Sequence, residues 1–270
     1  VQGWCRVSAG RGVRNGGTRT EEAAMKPPHP DPVQAPPVGT HRWLVLSAVA
    51  GVVGPILFTV TFLAQEAFRI GEYSPVAEPV SALEAGPYGW VQQLNFVVFG
   101  LLTCGFAVGL HRALRPARWG MVGPALLFIS GIGLLLAAIF PLREDAAGVT
   151  YDPGGHVVAG VTFFLSSAVG LTVLYRRVAR DPRWRDLAGY TLGAGLLALA
   201  GFVVTGVLVL PDGAPLHDWA GLVQRALILL VIFPCRVVLS VRMLRVPRQV
   251  GHHVRRSNVA GGPAGASIAG

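Results

Sequence analysis

The apolar residues of this chain are gathered in six blocks of roughly 20 residues, and this arrangement limits the fold more than any other feature. An α-helix rises about 1.5 Å per residue, so a block of that length crosses the ~30 Å hydrocarbon core of a bilayer. Hydrophobic residues make up 52% of the 270 residues and charged residues only 14%. A soluble domain carries about 25% charged residues. The sequence therefore predicts an all-α integral membrane protein, a bundle of six transmembrane helices.

The transmembrane domain is predicted to cover residues 41–246. Its helices are expected at about 43–65, 90–110, 120–142, 156–175, 188–210 and 219–243. Residues 1–40 are rich in Pro and Gly, and residues 247–270 are basic and rich in Gly. Both segments are predicted to be disordered tails, because neither has an apolar face to bury.

The loops between the predicted helices alternate between basic and acidic. Arg-rich segments follow helices two, four and six, whereas Glu78, Asp145 and Asp212 lie in the loops after helices one, three and five. Lys and Arg are retained on the cytoplasmic side of a membrane. We therefore predict a multi-pass protein of the cell membrane with both termini in the cytoplasm and the acidic loops outside.

The net charge of +9 does not predict nucleic-acid binding. The Arg residues lie beside helix ends and form no patch with interleaved aromatic residues. Cys5, Cys104 and Cys235 have no paired spacing, so neither a disulfide framework nor a metal knuckle is indicated. The predicted partner is the lipid bilayer. A lipid or small-molecule ligand on the outer side and the oligomeric state are left open by the sequence.

Small residues recur at helical spacing within two of the apolar blocks. Gly105 and Gly109 are four residues apart, as are Gly189 and Gly193. Such pairs allow close helix contacts in lipid, where apolar surface gains little from association. We expect all four positions to lie at helix–helix contacts.

Candidate chemistry is concentrated in the acidic loops. Asp145, His156 and His217 are of the residue types that bind zinc. Ser81 with His156 and Asp145 has the composition of a nucleophilic triad. The spacings match no known signature such as HExxH. The alternative is that His156 orients the start of helix four while the carboxylates stay solvated.

Arg225 is the most unusual charge in the apolar blocks, because it lies about two turns inside helix six. Arg236 follows eleven residues later, ~16 Å along the axis and on nearly the same face. Arg236 is expected to snorkel to the cytoplasm. We predict that Arg225 faces the bundle and forms a structural ion pair with Asp145, or with Glu84 as the second choice.

Three short segments of the chain are PVSALEAGPYGW, GIGLLLAAIFPLRED with the histidine that follows it, and AGLVQR. Together they resemble a bacterial membrane family known as domain of unknown function 998. The resemblance covers roughly residues 43–245 and implies a six-helix membrane protein without an established biochemical role. The polar residues that recur in that family correspond here to Ser81, Asp145, His156, Gln224 and Arg225.

A more distant likeness is to the superfamily of alkaline ceramidases and progestin and adiponectin receptors. That likeness implies a metal-dependent membrane hydrolase, but this chain has six predicted helices instead of seven and lacks a histidine pair in the last one. Two functions follow from the sequence. The first is a non-enzymatic membrane protein whose polar cluster locks the helices together, and the alternative is a metal-dependent lipid hydrolase at the outer leaflet.

Overall fold

The computed structural model describes residues 38–114, 120–211 and 213–245. The predicted C-terminal tail, nearly all of the predicted N-terminal tail and Asp212 therefore lie outside the described residues. The first helix begins at Val38, a few residues earlier than predicted.

Six helical stretches are long and apolar enough to cross a membrane, which confirms the predicted number of spans. The helices are α1 (Val38–Phe68), α2 (Gly89–Ala113), α3 (Val122–Ile139), α4 (His156–Arg180), α5 (Ala188–Val204) and α6 (Ala220–Ala226). A π-helical turn, Thr205–Val209, extends α5. A second one, Leu227–Ile232, joins α6 to the helix at 233–245, and together they form the sixth span, His217–Arg245.

Each π-helical turn lies shortly before a proline. Pro211 follows the turn in α5, and Pro234 follows the turn in the sixth span. Proline lacks the N–H that an α-helix requires and clashes with the carbonyl four residues earlier. A wider turn accommodates that clash without ending the helix.

Two loops at one end of the bundle carry short regular elements. The α1–α2 loop (residues 69–88) contains a 3-10 helix at Val80–Glu84. The α3–α4 loop (residues 140–155) contains a hairpin of β1 (Arg143–Glu144) and β2 (Thr150–Tyr151), paired antiparallel. We call this end, with the start of the sixth span, the acidic end. The opposite end, formed by residues 111–114, 120–121, 177–187 and 242–245, is the basic end.

Phenylalanine rings form the centre of the core and connect four spans. The Phe99 ring centroid of α2 lies 4.8 Å from that of Phe58 in α1, 5.2 Å from Phe233 in the sixth span and 6.5 Å from Phe163 in α4. Tilted and edge-to-face pairs of this kind contribute about 0.5–1.5 kcal/mol each beyond their buried area. The aromatic core therefore packs α1, α2, α4 and the sixth span around the Phe99 ring.

The predicted glycine contacts are only partly correct. A Cβ added at Gly109 would collide with Ser47 of α1, so this glycine does lie at a contact. A close contact of α2 with α3 instead involves Gly100 and Gly131, where an added Cβ would lie 2.9 Å from the carbonyl oxygen of the other glycine. The prediction is wrong for three positions where an added Cβ would meet nothing within 4 Å, namely Gly105, Gly189 and Gly193.

Candidate functional site

Arg225 is buried near the acidic end, with 8% of its surface exposed. Its Nε and Nη2 donate to Oε1 of Glu66 in α1, at 3.1 and 2.5 Å. Nη2 also donates to the Tyr73 hydroxyl at 2.6 Å, and Nη1 to the Glu78 carbonyl at 2.9 Å. One guanidinium therefore joins α1, the α1–α2 loop and the sixth span.

The predicted partners of Arg225, Asp145 and Glu84, are wrong. The Asp145 carboxylate is exposed and accepts hydrogen bonds from the N–H groups of Ala147 and Val149, which closes the β-hairpin turn. The Glu84 carboxyl group contacts the α3–α4 loop and α4 instead of Arg225. Helix one was predicted to end at about residue 65, just before Glu66. In the structure α1 continues to Phe68, and this helical position directs Glu66 towards the sixth span.

The α1–α2 loop folds over the start of the sixth span. Gln224 Oε1 accepts a hydrogen bond from the Val80 N–H at 2.7 Å, and the Leu222 N–H donates to the Val76 carbonyl at 3.0 Å. Gly221 permits this approach, because a Cβ there would collide with loop carbonyl oxygens. Gln224 thus belongs to the same polar cluster as Arg225.

The Tyr73 hydroxyl stabilises the loop from inside. It lies 3.0 Å from the carbonyl oxygens of both Glu78 and Pro79, to which it donates, while it accepts from Arg225. Burial raises the pKa of Tyr73 to about 12, although the Arg225 charge opposes the rise. The hydroxyl therefore keeps its proton and serves as both donor and acceptor.

A second buried pair lies nearby, between Glu84 and His156. The Glu84 side chain is 0% exposed, and its Oε2 is 3.2 Å from His156 Nδ1, which is also 2.9 Å from the Phe140 carbonyl oxygen. The Leu142 N–H donates to the same carboxyl oxygen at 3.4 Å. Within the described residues, Glu84 Oε1 has no hydrogen-bond partner. Burial raises the pKa of Glu84 to about 8, although the hydrogen bond from Leu142 opposes the rise.

Asp152 holds the start of α4, and with it His156, in place. Its carboxylate accepts hydrogen bonds from the N–H groups of Gly154, His156 and Val157, at 2.8, 3.2 and 2.9 Å. Burial by itself would raise the pKa of Asp152, but these N–H groups outweigh it and hold the pKa below its usual value. The backbone N–H groups at the helix start are therefore satisfied by an ionised carboxylate.

The other predicted site residues are not brought together. His217 Nδ1 lies 3.0 Å from the Val209 carbonyl oxygen, within its own turn of the chain. No hydrogen bond connects the half-buried Ser81 to Asp145 or His156 in the part of the chain that the structure describes. Among those residues no group of three His, Cys, Asp or Glu side chains is arranged to hold a metal ion. Asp145, His156 and His217 thus form no zinc site here, and Ser81 no triad.

Arginines at the basic end satisfy helix termini. Arg177 of α4 donates to the carbonyl oxygens of His111, Leu114 and Gly120 at 2.7 to 2.8 Å. Arg183 donates to the Ala113 carbonyl at 3.0 Å. Carbonyls at the end of α2 lack partners within the helix, so these side chains complete its hydrogen bonding.

Arg236 was expected to snorkel to the cytoplasm, and this prediction is wrong. Only 6% of its surface is exposed. The guanidinium carbon lies 4.9 and 5.0 Å from the ring centroids of Phe99 and Phe106, and Nη1 donates to the Thr103 hydroxyl at 2.6 Å. All three partners belong to α2. The side chain extends into the bundle because the two aromatic rings and the hydroxyl of α2 face it there. A contact between side chains of two different helices cannot be read from residue spacing.

A family model described as "Protein of unknown function (DUF998)" matches residues 52–240, well over half of the chain. The chain belongs to the DUF998 family. The DUF998 match runs from α1 far into the sixth span and contains Glu66, Glu84, His156, Arg225 and Arg236. No curated protein and no solved structure matches the chain. The resemblance to this family that the sequence indicated is thereby confirmed.

Proposed function

We propose that this DUF998 protein is a multi-pass protein of the cell membrane whose acidic end faces outward and acts as a proton-responsive lock on the helix bundle. The observation that carries the proposal is the contact of the wholly buried Glu84 carboxyl group with His156. This contact joins the 3-10 helix of the α1–α2 loop to the first residue of α4.

The loop charges support the orientation. Arginines concentrate at the basic end, and the positive-inside rule assigns that end to the cytoplasm. With six spans, both termini lie on that side. The acidic end then meets the outer medium, whose pH varies independently of the cytoplasm.

The lock is the neutral, protonated form of the Glu84 carboxyl group. A neutral Glu84 carboxyl group is compatible with burial, whereas an ionised one must be matched by a positive charge or exposed to water. The titratable groups around it are His156 on α4, Asp152 before α4, Arg69 at the start of the α1–α2 loop and Glu144 on β1. Arg69 donates to the Ala85 carbonyl at 2.8 Å and lies 3.5 Å from Glu144, so it is already paired. Loss of the proton should therefore loosen the loop.

The sign of the pH effect follows from the raised pKa. The pKa of Glu84 is about 8 in the folded protein against 4.5 for the ordinary side chain, so folding favours proton binding. This stabilisation is complete below the unfolded value of 4.5, declines as the pH rises from there, and is lost above about 8.

The experiment is a comparison of melting temperature across this pH range for the full chain in detergent. The wild-type protein should lose thermal stability as the pH rises to about 8.5, and Glu84→Gln, which is neutral and of the same shape, should lose much less. Glu144→Gln, a carboxyl group at the same end that is 31% exposed, should retain the wild-type decline. An equal decline in wild type and Glu84→Gln would contradict the proposal.

A further inference from the structure

Arg236 is a buried cation without a carboxylate partner in the described part of the chain. It lies nine residues before the end of the sixth span. Among the described residues, the only hydrogen bond of its side chain is the one from Nη1 to the Thr103 hydroxyl. Nε and Nη2 are buried and have no partner among the described residues.

Burying a guanidinium without a carboxylate partner costs free energy. An arginine does not lose its proton in proteins, so it cannot avoid the penalty by becoming neutral. The faces of Phe99 and Phe106 attract the guanidinium, but aromatic rings do not neutralise its charge. A charged side chain within a transmembrane segment commonly marks a ligand or ion site.

A cavity of about 20 Å³ borders this side chain within the helix bundle. That volume exceeds the ~10–15 Å³ that one water-sized occupant needs, and it leaves no room for a multi-atom acid. Most of the lining is aromatic or aliphatic. The polar lining residues come from three other regions of the bundle besides the sixth span: Thr103 in α2, Ser130 in α3 and Ser167 in α4.

Ser167 is the hydroxyl best placed to bind an occupant. The residue is 2% exposed, yet its hydroxyl makes no hydrogen bond to any described residue. The other two hydroxyls already donate, Thr103 to the Phe99 carbonyl at 2.6 Å and Ser130 to the Leu127 carbonyl at 2.7 Å. The cavity therefore combines a cation and a free O–H donor in an apolar surrounding.

We propose that this cavity binds a monatomic anion, chloride, held by the charge of Arg236 and the hydroxyl of Ser167. A single water molecule would also fit the volume, but it would not neutralise the guanidinium. A monatomic anion supplies the missing negative charge in a single atom, and it needs only donors and positive charge around it. Bound chloride would join the sixth span to α2 and α4 at the centre of the bundle.

The test measures thermal stability of the purified full chain in a non-ionic detergent while sodium gluconate is replaced by sodium chloride at constant ionic strength. Chloride should raise the melting temperature with a saturating dependence, and bromide should substitute for it. Gluconate is too large to enter. A melting temperature that is the same in chloride and gluconate at every ratio would overturn the proposal and leave water as the occupant.

Three variants test whether chloride binds in this cavity. Ser167→Ala removes one donor to the anion and should raise the chloride concentration at half-saturation about tenfold, since a hydrogen bond to a charged group is worth that factor or more. Arg236→Met should abolish the chloride dependence. Thr191→Val is the matched control, because Thr191 is also a buried hydroxyl in a span but does not line the cavity. If Ser167→Ala leaves the half-saturation concentration at the wild-type value, as Thr191→Val should, the anion is bound elsewhere and the proposal fails.

Discussion

Replacing Arg225 by methionine removes the guanidinium that joins α1, the α1–α2 loop and the sixth span. The Glu66 carboxylate, whose side chain is 11% exposed, would then be a buried charge without its partner. Breaking a buried ion pair from one side costs about 3–5 kcal/mol of unfolding free energy. Glu66→Leu leaves the guanidinium with only the Tyr73 hydroxyl and the Glu78 carbonyl, so a loss in the same range is expected.

The double variant Arg225→Met/Glu66→Leu should be much less damaged than the two single losses together. No charge is then left buried, and what is lost are the hydrogen bonds to Tyr73 and Glu78, worth about 1 kcal/mol each. Even with the lower figure of about 3 kcal/mol for each single loss, the coupling free energy of the pair should be about 4 kcal/mol, above the usual range for residues in contact. SDS-induced unfolding in mixed micelles, followed by far-ultraviolet circular dichroism, measures all four free energies.

The ion pair of Arg242 with Asp186 at the basic end is the matched control. It also joins an arginine of the sixth span to a carboxylate, but the Asp186 side chain is 64% exposed. An exposed pair contributes about 0–1 kcal/mol, because solvent screens it. If the coupling of Arg225 with Glu66 is no larger than that of this control pair, the buried pair does not hold the bundle together and the reasoning is wrong.

Two further predictions concern the orientation and the packing of the loop. Reporter fusions after Leu114 and after Ala147 should give opposite compartments, with the first in the cytoplasm, and equal signals from both would contradict the proposed topology. Gly221→Val places a side chain against loop carbonyl oxygens and should cost about 1–3 kcal/mol of unfolding free energy. Gly189→Ala, where an added Cβ meets nothing within 4 Å, should be neutral or slightly stabilising in the same SDS titration, and equal losses would refute the packing argument.

The number of spans and the family could be predicted from the sequence, for a physical reason. Hydrocarbon provides no hydrogen-bond partners, so each apolar block of sufficient length must satisfy its own backbone by forming a helix. This requirement acts on each block separately, and no knowledge of its neighbours is needed. The three motifs that indicated the family lie in such blocks or beside them.

The partners of the charged residues were decided by the tertiary structure alone. Arg225 and Glu66 are 159 positions apart in the sequence. Glu84 lies in the α1–α2 loop, whereas its partner His156 is the first residue of α4. The sequence correctly marked Arg225 as a charge that must be compensated, but the energy of a buried charge depends on which side chain lies within about 3 Å. Arg236 gives the same lesson, since its burial depends on aromatic rings of α2. Composition and spacing determine which segments enter the membrane, whereas helix packing determines which polar groups meet there.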